Sequence, residues 1–115
     1  MATAGAMRRC EITGLSVDRT AERLIMLNAV TAVVYLAIGG VLALLIALTR
    51  WQAVHLLTPA RFYEFVSTHG LVMLIFWILF FEVAGLIFAS TVLLSARMVI
   101  PWLGWLAYAL MLVGS

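Results

Sequence analysis

The sequence predicts an all-α membrane protein: two complete transmembrane helices and a truncated third, part of a larger polytopic helical bundle. Composition is the first sign. Hydrophobic residues make up 66% of the 115 and charged residues 10%, whereas soluble domains are about half apolar and about a quarter charged. Mean hydropathy is +1.18. The second sign is run length, because the apolar stretches 24–49 and 65–94 each exceed the roughly 20 residues that carry a helix across about 30 Å of hydrocarbon. A third run opens at Pro101 and ends, still apolar, at Ser115.

Charge excludes other classes. The net charge is +2, but the basic residues are all arginines and are scattered, so no basic stripe forms and no nucleic-acid partner is expected. Cys10 is the single cysteine, which rules out an internal disulfide and any CxxC-type metal site.

Residues 1–23 read as a polar, solvated tail, in which Asp18 is placed to cap a helix leading into the first span. The remainder, 24–115, is the transmembrane part, with helices expected at about 24–49, 59–96 and 101–115. In the first span Ala37, Gly40 and Ala43 form a small-residue stripe suited to close helix packing. Arg50 and Trp51 end that span as an interfacial pair. Thr58-Pro59 then starts the second helix, with the proline at its first position, where a missing N–H is no loss. Ser95 to Met98 turn the chain, and Pro101 opens the third helix with Trp102 and Trp105 near the interface. Four arginines in the tail and one in the second turn, against two (Arg50 and Arg61) around the first connection, put the N-terminus on the cytoplasmic side.

Two polar residues stand out in the second span. His69 lies near its external end, about 15 Å along the axis from Pro59. An imidazole there can bind a metal through one nitrogen while the other donates to a carbonyl or water, an arrangement that fixes its tautomer. Gly70 leaves room beside the helix for a large planar ligand, and Phe62, Phe65, Met73, Phe76 and Phe80 recur at three or four positions to make an apolar face able to line a porphyrin. The competing reading is a structural histidine bonded to a neighbouring helix. Glu82 follows thirteen residues later, roughly 220° around the helix. Burial in low dielectric would favour its neutral form, which suits either a proton carrier or a carboxyl bonded to a partner helix. His55, in the connection, is expected to be solvated.

The run Phe65-Val66-Ser67-Thr68-His69-Gly70-Leu71-Val72-Met73-Leu74-Ile75-Phe76 resembles the second transmembrane helix of subunit I of the haem-copper oxidases, which reads close to Thr-Ala-His-Gly before an apolar Met/Ile/Phe run. Ser95 to Pro101 is similar to the family's short connection, and 103–114 to the start of its third helix. The resemblance is close over 63–115; the tail and first span match in placement and character only. It implies that the chain is the N-terminal portion of the catalytic subunit and that His69 is an axial ligand of a low-spin haem, a or b. That haem would pass electrons to a haem-copper centre where oxygen is reduced, with copper and a second haem only in the full subunit.

Gly70, Met73 and Phe76 would then flank the haem, Arg50 would correspond to an arginine that contacts it in some members, and Glu82 remains a candidate for proton transfer. Implied partners are membrane lipid, the remaining helices of subunit I, other oxidase subunits, and an electron donor that is cytochrome c, a copper protein or quinol. The implied setting is aerobic respiration in a prokaryotic cell membrane. The family's acidic residue between the positions of Arg97 and Met98 is missing here, as is an Asn of its second helix, which leaves one proton pathway in doubt. A nitric oxide reductase relative and a small helical scaffold or assembly subunit are the alternatives. By itself the 115-residue piece is expected to be inactive.

Overall fold

A computed structural model describes residues 7–115. Two short strands, β1 (Met7–Arg9) and β2 (Ser16–Asp18), precede three helices: Arg19–Arg50, Pro59–Leu93 and Pro101–Gly114. The first two are long and apolar enough to cross a membrane, and the third is a shorter apolar helix. The chain divides into two compact units, one joining the residues up to Val30 with Phe80–Ser115 and the other comprising Thr31–Leu79.

In the first unit the part of the tail that is described is ordered rather than simply solvated. The strands pair antiparallel, with Met7 opposite Asp18 and Arg9 opposite Ser16. Gly14 takes φ +70° in the turn, a left-handed conformation that costs a glycine little. Arg8 grips Glu22 through both carboxylate oxygens, Nε donating at 2.9 Å and Nη2 more closely. The rest of the tail, 1–6, lies outside the described residues.

The first helix begins at Arg19, earlier than hydropathy alone suggests, because Asp18 caps it. Asp18 Oδ1 accepts the N–H of Thr20 at 2.8 Å, and Oδ2 accepts the N–H of Met98 at 3.3 Å. One carboxylate, 2% exposed, therefore ties the helix start to the turn after the second helix. Ser95, at φ 50°, reverses the chain there. The third helix comes close to the first at Gly104, where an added Cβ would lie 2.7 Å from Leu24 Cδ1. Phe80, fully buried, meets Tyr108 edge-on at 6.0 Å between centroids.

The second helix ends at Leu93, short of the expected position 96, and it is not uniform. Two stretches, Val72–Phe76 and Phe88–Leu93, are π-helical. A widened turn loosens carbonyls from the α ladder, and nearby side chains take them up. Trp77 Nε1 donates to the Met73 carbonyl at 2.6 Å, while the Thr91 and Ser90 hydroxyls donate to that of Ile87 at 2.6 and 3.2 Å. At its other end Thr58 occupies the cap position by backbone geometry, but its hydroxyl makes no capping bond. Pro59 is at the first position, as expected.

Candidate functional site

His69 lies in the Thr31–Leu79 unit, half-buried, on the second helix just before the first π-helical stretch. Its Nδ1 is 3.0 Å from the carbonyl oxygen of Gly39 on the first helix. A carbonyl can only accept, so Nδ1 carries a proton, and in the neutral ring Nε2 holds the lone pair. Nε2 has no hydrogen-bond partner among the described residues. The contact fixes the tautomer and orients the ring, as the outer partners of metal-bound histidines do.

Gly39 makes this possible in two ways. Its carbonyl has a second lone pair beyond the one used in its own helix. Its missing side chain leaves space that Met73 fills, since a Cβ there would meet the Met73 sulfur and stand 2.9 Å from its Cγ. The close approach on the first helix is therefore at Gly39, not on the stripe of Ala37, Gly40 and Ala43. A Cβ on Gly40 would meet nothing within 4 Å, and Ala37 is exposed. The adjacent glycines mark the place in the sequence, but only the helix phase distinguishes them.

The other candidates divide. A Cβ on Gly70 would meet nothing within 4 Å, so the space beside His69 is open. Met73 sits against Gly39, and Phe76 is tilted on Tyr35 with centroids 5.6 Å apart. Both thus form the seam between the helices that supports the ring. The Arg50 guanidinium lies 5.7 Å from the centre of the Phe62 ring, about two helical turns before His69. Phe80, part of the same sequence stripe, is buried against Tyr108 in the other unit. His55 is exposed. No group of three or more His, Cys, Asp or Glu able to hold a bare metal ion exists among the described residues. A haem needs less from this chain, because the porphyrin supplies four of the iron's ligands and the protein only the axial ones. One histidine with a fixed tautomer and an open flank fits one such ligand.

Glu82 is exposed rather than buried and has no hydrogen bond or ion pair among the described residues. A charged side chain at the centre of a membrane helix costs about 2.5–3.5 kcal/mol on insertion scales. Asn28 is the reverse case: it is 1% exposed and donates to the Leu24 carbonyl at 2.8 Å, while its Oδ1 is buried without a partner.

Two apolar helices of spanning length, with a bonded imidazole on one of them, define a helical integral membrane protein with a single-histidine site. The family profile described as "Cytochrome C and Quinol oxidase polypeptide I" matches residues 23–115, and the chain belongs to that family. It is thus a region of a haem-copper oxidase subunit I, a class of membrane oxidoreductases that binds haem and copper and associates with other oxidase subunits. No curated protein and no solved structure matched the chain in the same comparisons.

Proposed function

We propose that this region supplies one axial ligand, His69 Nε2, to a low-spin haem of the oxidase. When bound, that haem relays electrons to the oxygen-reducing haem-copper centre. The observation that supports this reading is the bond from Nδ1 to the Gly39 carbonyl, which leaves Nε2 with its lone pair and limits rotation of the ring. Gly70 keeps the flank clear, and Met73 and Phe76 hold the two helices at the distance the bond requires. Arg50 contributes indirectly, through the Phe62 ring beneath it. Glu82 takes part in proton transfer within the membrane.

The chain works in a prokaryotic cell membrane with its N-terminus cytoplasmic and is completed by further subunit I helices. Electrons arrive from cytochrome c, a copper protein or quinol. In the complete oxidase, His69→Ala is expected to abolish the low-spin haem absorbance while the assembled subunits remain detectable. Unchanged spectra with lost assembly would instead make His69 a structural bonding partner of Gly39.

A further inference from the structure

Glu82 lies about 16 Å along the helix axis from Leu93, near mid-depth for a hydrocarbon core of about 30 Å. Gly85 and Leu86 follow it at three- and four-residue spacing in the α-helical part, Ala89 and Leu93 come next in the π-helical stretch, and all four are exposed. A Cβ on Gly85 would meet nothing within 4 Å. The face is therefore apolar, open and small enough at its centre for a second helix to approach closely, with one carboxyl set into it.

Lipid is a poor cover for this face, because acyl chains offer no donor and headgroups lie too far along the axis. A second copy of the chain is no better. Within the apolar runs 24–49, 65–94 and 101–115, Glu82 is the only acidic or basic residue apart from His69, so a second copy would bring no arginine to this depth.

We propose that the face of Glu82, Gly85 and Ala89 docks a transmembrane helix from outside these 115 residues, and that this helix carries a basic side chain at mid-depth to pair with Glu82. The inference uses only membrane insertion and holds whether or not His69 binds haem.

The test places a photoreactive benzoylphenylalanine at Leu86 of the complete oxidase in native membranes. The expected product is a peptide adduct whose attachment point lies in an apolar span, within one turn of an Arg or Lys. Glu82→Leu should lower the adduct yield about fivefold or more, whereas removing the basic residue together with Glu82→Leu should restore part of it. An adduct to lipid alone, to a second copy, or to a span without a basic residue overturns the proposal. So does a yield indifferent to Glu82→Leu in a complex that still assembles. Glu82→Gln, which keeps the shape and loses the charge, separates pairing from packing: a yield close to that of Glu82→Leu supports the pair, and an unchanged yield counts against it.

Discussion

Asp18 and Glu82 are both carboxyls of the same compact unit, and their surroundings are opposite. Asp18 is almost completely buried yet accepts two backbone N–H groups, whereas Glu82 is open and accepts none among the described residues. Burial within a chain is therefore a poor measure of whether a polar group is finished; its partners are the measure. His69 stands between the two, with one nitrogen bonded and the other without a hydrogen-bond partner among the described residues. Asp18, completed inside the chain, holds the fold, while Glu82 and the Nε2 of His69 have no hydrogen-bond partner among the described residues.

The strongest way to break this comparison is at Gly39. Gly39→Val drives a side chain into Met73 and is expected to cost about 1–3 kcal/mol by overpacking, and to lengthen the His69 contact. Thermal unfolding of the complete subunit should show the first effect and the low-spin haem spectrum the second. A stable protein with an unchanged spectrum would show that Gly39 does not position the ring.

Asp18→Ala removes a helix cap and leaves the Met98 N–H without its partner, a loss of about 2 kcal/mol. Glu82→Leu should leave the stability of this chain unchanged or raise it, because no hydrogen bond or ion pair among the described residues is lost. Equal losses from the two substitutions would erase the distinction drawn between them. Asn28→Leu sharpens it at smaller scale: removing an unpartnered buried oxygen should stabilise by up to about 1 kcal/mol. A fall in melting temperature would mean that the oxygen already has a donor, such as an internal water.

The smallest effect concerns Cys10, outside the spans. The Thr13 hydroxyl, followed by the N–H groups of Thr13 and Ile12, holds the thiol below its ordinary value, so the thiolate fraction rises at lower pH than for a free cysteine. The pH midpoint of alkylation should therefore be low and should move up in Thr13→Val. An unshifted midpoint would remove Thr13 as the cause.

What the sequence determined by itself is local in origin. Membrane crossing, helix number and the helix start at Pro59 follow from hydropathy and backbone chemistry carried by neighbouring residues, and His69 was conspicuous because polar side chains are rare in apolar runs. The tertiary structure decided what depends on phase and distance. It chose Gly39 over Gly40, and it turned Met73 and Phe76 into a helix seam. It also joined Asp18 to Met98, 80 residues apart. The two π-helical stretches compound the difficulty, since each shifts the phase of every residue after it and no 3.6-residue periodicity anticipates where the helix will widen. Helix formation is set by neighbours within a turn, but which carbonyl meets which side chain is set by how two helices rotate against each other.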